Sequence, residues 1–165
     1  MVVAAALLAA ALVAGPAVVD PRPVLLWNAS ASLPIGLYRV GPVGRLQVGD
    51  LVVVMPPEPL ARMLGEGGYL PRRVPLLKQV AALPGQTVCR IGTRIVVDGV
   101  AMAEARSRDR RGRPLPVWQG CRVIAADAVF LINERPDSLD GRYFGPLPRA
   151  AILGRASPIW TFEVP

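Results

Sequence analysis

The chain has 165 residues, 52% of them hydrophobic and 19% charged, which suits one globular domain with an appended segment and argues against a disordered chain. It contains no histidine, and this excludes Ser-His-Asp catalysis, Cys-His catalysis and histidine-based zinc sites. The formal net charge is +7, and 18 of the 19 basic residues are arginine, so that Lys78 is the single lysine.

The amino-terminal part of the chain resembles a membrane segment. Residues 2–19 carry no charge and would form a helix about 27 Å long, slightly shorter than a hydrocarbon core of about 30 Å. The basic residues that open a signal peptide are missing. We therefore predict an uncleaved anchor over residues 1–23, with the remaining domain outside the cytoplasm; a cleaved signal peptide and a buried helix are the alternatives.

The remainder, residues 24–165, is predicted to be a single, mainly β domain. Asp98-Gly99 lies between two apolar runs, and an Asp-Gly pair in such a position is a strong signal for a β-hairpin. A helical pattern is found only around residues 59–64. Residues 56–75 and 104–116 are predicted to be excursions, that is, segments that leave the sheet. Short strands bounded by Gly and Pro are predicted at residues 37–40, 51–55, 76–83, 87–91, 94–97, 100–103, 129–132 and 151–153.

The densest group of positive charges lies in the second of these excursions. It contains one acidic residue, Asp109, and no aromatic residue between the arginines, which is a poor match to a nucleic-acid stacking surface. We interpret it as a solvated loop and expect no nucleic-acid partner. Its basic members are Arg106, Arg108, Arg110, Arg111 and Arg113.

Without histidine, a neutral-pH base of useful strength must come from a buried lysine, and Lys78 is the one candidate. No acidic residue lies within ten positions of it, and its neighbours are apolar. Lowering a lysine pKa to about 7–8 costs roughly 3.5–4.5 kcal/mol of desolvation, which a buried strand could supply. A lysine at a strand edge facing water is the alternative. Arginine cannot be deprotonated in a protein. The use of lysine at this one position therefore favours a role for Lys78 as a base.

Two of the five serines, Ser30 and Ser32, lie in a turn between the apolar run and the first predicted strand, where Pro34 and Gly36 shape the backbone. Ser32 follows the apolar run by only thirteen residues. A nucleophile in this turn would act close to a bilayer and would suit a membrane-tethered substrate.

Four segments resemble, in order, the conserved boxes of type I signal peptidases, which are Ser/Lys membrane proteases. Residues 32–38 (SLPIGLY) and 141–148 (GRYFGPLP) are most similar to the conjugative-transfer branch, the TraF-like pilin-processing peptidases. The resemblance covers nearly the whole chain. The four segments are residues 30–34 (SASLP), 49–53 (GDLVV), 78–85 (KQVAALPG) and 137–145 (DSLDGRYFG).

The resemblance implies a catalytic role for three residues. Ser32 would be the nucleophile and Lys78 the general base. The backbone N–H of Ser32 and the hydroxyl of Ser30 would bind the oxyanion.

It also implies supporting roles in the last box. Ser138 would orient the Lys78 amine through a hydrogen bond. Asp140 and Arg142 would form an ion pair that braces the site, although a purely structural role for this pair is equally consistent with the family pattern.

The chain departs from the family pattern at several positions. Leu33 replaces the usual methionine, Gln79 a common arginine and Gln86 a frequent aspartate. The last box begins with residues 133–136 (NERP) in place of Gly-Asp-Asn. These differences argue against ordinary secretory-leader cleavage more than against catalysis.

The implied fold is a coiled β-sheet catalytic domain with a shallow apolar groove. The implied function is a membrane-anchored serine endopeptidase of the bacterial inner membrane, with its catalytic domain in the periplasm. It would process a membrane-tethered, pilin-like precursor, whose product can be cyclised in this branch, and it would need no metal or organic cofactor. The alternatives are a housekeeping signal peptidase, a non-catalytic membrane-anchored assembly protein and a cytoplasmic self-cleaving regulator, which the apolar run disfavours.

Two cysteines in an exported domain are free to pair in an oxidising compartment, and we predict a disulfide between Cys89 and Cys121. The alternative is two buried free thiols.

Overall fold

The computed structural model describes residues 24–163 of the chain. The predicted anchor at residues 1–23 lies outside these residues. No helix within residues 24–163 is long and apolar enough to cross a membrane.

The described part of the chain is mainly β, as predicted. Its strands are β1 (Leu25–Asn28), β2 (Ile35–Gly41), β3 (Leu51–Val54), β4 (Leu76–Ala82), β5 (Thr87–Ile91), β6 (Arg94–Val97), β7 (Val100–Glu104), β8 (Gly120–Val123), β9 (Ala128–Leu131), β10 (Leu147–Pro148) and β11 (Ile152–Phe162). Its α-helices are α1 (Glu58–Glu66) and α2 (Gly141–Phe144).

These strands form two antiparallel sheets. The larger has the order β1-β2-β11-β3-β4-β9-β10, and the smaller has the order β7-β6-β5-β8. Because β11 pairs with both β2 and β3, the last strand joins the first hairpin to the centre of the larger sheet. β4 lies between β3 and β9, so its residues have a neighbouring strand on each side.

The predicted strands are found close to their expected positions, and β5 and β6 agree residue for residue. The Asp98-Gly99 turn joins β6 to β7 with φ values of 47° and 85°, which is the left-handed geometry that such a turn requires. The main differences lie at the two ends: β1 precedes the turn of Ser30 and Ser32, where no strand is predicted, and the last strand is longer than expected. It extends to Phe162 rather than ending near residue 153, because its pairing continues through an irregularity between Pro158 and Trp160.

The smaller sheet carries the disulfide. Cys89 on β5 lies directly opposite Cys121 on β8, and the structure joins them rather than leaving two free thiols. In the chain-entropy model, a cross-link over this sequence separation of 32 stabilises the fold by about 3–4 kcal/mol.

The main core lies against the central strands of the larger sheet. Val52 and Val54 on β3, Val80 on β4 and Leu131 on β9 are fully or almost fully buried there. Leu64 of α1 packs against the same cluster, since α1 presents its apolar face to the sheet. Because most residues of these central strands are buried, little water can reach a polar group placed on them.

Candidate active site

Lys78 lies at the centre of the larger sheet. It is opposite Val52 in the β3–β4 pairing and shares its face of β4 with Leu76 and Val80. Those two apolar residues pack in or against the main core, and Lys78 itself is only 4% exposed. The structure therefore places the single lysine at a buried position and not at a strand edge facing water.

The amine of Lys78 has a polar but uncharged partner. Its Nζ donates a hydrogen bond to Oγ of Ser138 at 2.9 Å. None of the ion pairs among residues 24–163 involves Lys78. Burial disfavours the charged amine and lowers the pKa of Lys78 to about 8, although the more distant carboxylate of Asp140 opposes this shift. With this pKa, about a tenth of the amine is neutral at pH 7, against less than a thousandth for an ordinary lysine.

Ser32 lies in the loop between β1 and β2, and Asn28 at the end of β1 holds that loop in shape. The Asn28 side-chain amide donates to the carbonyls of Ser30 at 2.9 Å and of Pro34 at 3.0 Å. Its Oδ1 accepts from the N–H of Ser30 at 3.1 Å, and the hydroxyl of Tyr38 donates to the Pro34 carbonyl at 2.7 Å. Asn28 is 7% exposed, so these bonds are largely shielded from water.

The backbone after this loop requires a glycine. Gly36 on β2 has a φ of 145°, and a Cβ added there would lie 2.1 Å from the carbonyl oxygen of Trp160 on β11. Its absent side chain lets β11 approach the strand that follows the loop of Ser32.

The hydroxyl of Ser32 accepts two hydrogen bonds. Ser30 Oγ donates to Ser32 Oγ at 3.2 Å, and Nδ2 of Asn133 donates to it at 3.1 Å. The N–H of Ser32 donates in turn to Ser30 Oγ at 3.4 Å. No hydrogen bond joins Ser32 to Lys78 in the described part of the chain; Ser138 is the partner of the amine instead.

Asn133 is fully buried just after β9, and it connects the loop of Ser32 to the strand of Lys78. Besides Ser32 Oγ, its Nδ2 contacts the carbonyl of Leu77 at 3.2 Å, and its Oδ1 accepts from the N–H of Gln79 at 3.1 Å. Both backbone partners are immediate neighbours of Lys78. One amide thus spans the two candidate catalytic residues.

Asp140 and Arg142 form a buried ion pair behind Asn133. The Arg142 guanidinium donates to both carboxylate oxygens of Asp140 at 3.0 and 3.1 Å, and the two side chains are 0% and 1% exposed. The guanidinium also donates to the carbonyls of Asn133 and Arg135, while Asp140 accepts from the N–H of Asn133 at 3.1 Å. The pair therefore supports Asn133 and does not itself contact Ser32 or Lys78.

A cavity of about 610 Å³ brings the candidate residues together. Ser30, Ser32, Lys78 and Ser138 all line it, and apolar residues that follow α1 form part of its wall. Residues 106–113 line the same cavity, so the expected solvated loop is exposed but also borders the site.

The sequence alone assigns no role to Asn28, and it marks Asn133 only as a departure from the family pattern. Its position immediately after a buried apolar strand is a signal that could have identified it, because a polar residue there must find partners.

The chain matches the family model described as signal peptidase, peptidase S26, over residues 1–161, and it therefore belongs to the S26 signal peptidase family. Among its relatives, the conjugal transfer protein TraF of Agrobacterium fabrum strain C58 is 40% identical over 146 residues, which cover 82% of each chain. The plasmid transfer protein TraF of Escherichia coli is 32% identical over 148 residues, again 82% of each chain.

More distant similarity extends to signal peptidase I proteins. That of Leptolyngbya laminosa is 30% identical over 123 residues, 72% of this chain and 53% of its own. The crystal structure of a signal peptidase I from Enterococcus faecalis V583 covers 68% of this chain and 97% of its own, with 18% identity and a TM-score of 0.42.

Proposed function

We propose that this chain is a serine endopeptidase that processes an exported precursor for conjugative transfer, with Ser32 as nucleophile and Lys78 as general base. The observation that carries this proposal is the environment of Lys78. Its buried amine has a pKa of about 8, a serine hydroxyl as partner and a place in the same cavity as Ser32. A lysine in such a site can accept a proton at neutral pH.

In the proposed reaction, the neutral Lys78 amine removes the hydroxyl proton of Ser32 as Oγ attacks the carbonyl carbon of the substrate. The ammonium then gives this proton to the leaving amine, and an acyl-enzyme ester remains on Ser32. A water molecule, deprotonated by the same amine, hydrolyses the ester. The 2.9 Å hydrogen bond to Ser138 keeps the Lys78 amine oriented during both steps.

The two donors to Ser32 Oγ support this role. Because Asn133 and Ser30 both donate to Oγ, the hydroxyl hydrogen of Ser32 is left free to be donated to another group. Catalytic hydrogen bonds are often long in the absence of substrate, and we expect the Ser32–Lys78 contact to form when a peptide fills the cavity. The Ser30 hydroxyl and the Ser32 N–H would then turn to the developing oxyanion.

We propose a membrane location on the basis of an exposed aromatic cluster on β1, the first described strand, and on β11. Trp27, Trp160 and Phe162 are 52%, 62% and 44% exposed, and neighbouring ring centroids lie 6.2 and 5.6 Å apart. The amphipathic rings of tryptophan prefer the bilayer interface. Together with an anchor over residues 1–23, this cluster would hold the cavity beside a membrane-tethered precursor.

The relatives named as transfer proteins support a conjugative substrate over general secretory leaders. The test uses the full-length chain in membranes with two precursors, the pilin encoded in the same transfer region and a secretory protein with its leader, followed by mass spectrometry. We expect Ser32-dependent cleavage of the pilin precursor only. Cleavage of the leader alone would indicate a housekeeping peptidase, and normal conjugation supported by Ser32→Ala would indicate a non-catalytic assembly protein.

A further inference from the structure

The five arginines of residues 106–113, here called the arginine loop, are held in a defined conformation. The loop connects β7 to β8, and buried Ala105 and Leu115 fix its two ends against Tyr143. Within it, the N–H of Asp109 donates to the carbonyl of Arg113 at 2.9 Å. The loop is therefore an ordered wall of the cavity, even though most of its side chains are exposed.

The single acidic residue of the loop is fully engaged inside it. Asp109 Oδ2 accepts from Nε of Arg113 at 2.6 Å and from the hydroxyl of Tyr69 at 2.7 Å, while Oδ1 accepts from the N–H groups of Arg111 and Arg113. The Arg113 guanidinium also lies 4.4 Å from the centre of the Tyr69 ring. The negative charge of Asp109 therefore offsets the positive charge of Arg113 and of no other arginine in the loop.

Three arginines of the loop remain without a carboxylate among residues 24–163, namely Arg106, Arg108 and Arg111. The fourth, Arg110, pairs with Asp137, but its side chain is 75% exposed. Exposed ion pairs contribute about 1 kcal/mol or less, so a competing carboxylate can replace Asp137 at little cost. One nitrogen of the Arg108 guanidinium donates to the Gly112 carbonyl at 2.6 Å, and the loop presents the other donors of this guanidinium, with those of Arg106 and Arg111, to a ligand.

The loop also lies close to the proposed catalytic centre. Asp137, the partner of Arg110, directly precedes Ser138, whose hydroxyl contacts the Lys78 amine. The loop and Ser32 line one cavity. An extended peptide bound at Ser32 would therefore pass the arginines within a few residues of the bond to be cleaved.

We propose that the arginine loop is a subsite for a carboxylate side chain of the precursor, so that the enzyme prefers substrates with Asp or Glu near the cleavage site. This inference rests on the proposed function. Guanidinium groups bind carboxylates through paired, charge-assisted hydrogen bonds, and a partly enclosed cavity strengthens them. A peptide is favoured over a lipid headgroup because the arginines face the cavity that holds Ser32, while the exposed aromatic cluster occupies β1 and β11.

The decisive measurement is fluorescence polarisation of labelled ten-residue, alanine-rich peptides that carry either Glu or Gln at one position, scanned along the peptide. The full-length Ser32→Ala chain in detergent is the receptor, so cleavage does not interfere. We expect the Glu peptide to bind about tenfold more tightly than the Gln peptide at its best position, and less so at high salt.

A matched pair of variants on this background locates the effect. Arg108→Gln/Arg111→Gln should abolish the Glu preference, whereas Arg45→Gln/Arg94→Gln, which removes the same charge from exposed positions outside the cavity, should retain it. Equal binding of Glu and Gln peptides, or equal loss of preference in both variants, would overturn the subsite. Loss of binding to vesicles of anionic lipid with an unchanged Glu preference would assign these two arginines to the membrane and overturn it as well.

Cleavage of the same peptides by the chain with Ser32 intact separates the two proposals. A Glu preference in binding without any cleavage would contradict the peptidase function and leave the subsite supported. Cleavage that is indifferent to Glu or Gln would contradict the subsite and leave the peptidase function supported.

Discussion

Nδ2 of Asn133 donates to Oγ of Ser32 at 3.1 Å across 101 positions of sequence. The same side chain holds the backbone on both sides of Lys78, through Leu77 and Gln79. One buried amide thus connects the proposed nucleophile to the backbone of the proposed base, and the Asp140–Arg142 ion pair hydrogen-bonds to the backbone of Asn133.

Replacing Asn133 should separate positioning from simple structural support. Asn133→Ala removes the donor to Ser32 and leaves two backbone groups unpaired, so we expect kcat to fall about tenfold and stability to fall by about 1–3 kcal/mol. Asn133→Asp keeps the shape but places a carboxylate against the backbone on either side of Lys78. Because an opposite charge favours the ammonium and raises the pKa of Lys78, the acidic limb of the kcat/KM profile should move to higher pH.

The pH profile is the readout that a merely structural role would not change. Asn133→Ala is the control, since it should lower kcat without moving the acidic limb of the kcat/KM profile. A parental kcat for Asn133→Ala, or an unmoved limb for a folded Asn133→Asp variant, would contradict a positioning role.

The lowered pKa of Lys78 predicts how stability depends on pH. Between pH 8 or so and the ordinary lysine pKa of 10.5, the unfolded chain binds a proton at Lys78 that the folded chain does not. The free energy of unfolding should therefore rise with pH across this window. For this one group it should be about 3 kcal/mol lower below pH 8 than above pH 10.5. Lys78→Met removes the buried amine, so at pH 7 this variant should be more stable than the parent.

Denaturant unfolding of both chains at several pH values checks this. We expect the stability difference between Lys78→Met and the parent to shrink as the pH rises from 8 to 10.5. A difference that stays constant over this range would mean that the amine is not desolvated in the folded chain.

The buried ion pair should be far more sensitive than an exposed one. Asp140→Asn leaves the guanidinium of Arg142 buried without its counter-charge, which we expect to destabilise the fold by about 3–5 kcal/mol. The control is Glu58→Gln, which disrupts the exposed pairs with Arg62 and Arg72 and should cost about 1 kcal/mol or less. Similar melting temperatures for both variants would show that the pair at Asp140 is not the support described above.

The local parts of the fold follow from the sequence, because their signals are local. Asp98-Gly99 predicts its hairpin from the two residues that can adopt positive φ. Lys78 emerges as the candidate base from composition alone, since a chain without histidine leaves few other bases. The apolar runs of the central strands predict their own burial.

The long-range parts do not follow from it. Asn133 meets Ser32, Leu77 and Gln79 only after three distant segments have come together. The arginines of residues 106–113 look like an ordinary solvated loop until Arg110 is seen beside Asp137 at the cavity. The full length of β11 depends on pairing with β2 beyond Pro158, a residue that usually ends a strand.

The central claim is that Lys78 accepts the proton of Ser32, and the Lys78→Arg variant tests it most directly. The measurement is the rate of precursor cleavage by the full-length variant, alongside Ser32→Ala and the double variant, with circular dichroism and thermal melting of each. Arginine keeps the positive charge but cannot act as a base, so we predict at least about a hundredfold loss, with the double variant little worse than either single one. A folded Lys78→Arg chain that cleaves the precursor at close to the parental rate would contradict the Ser/Lys mechanism.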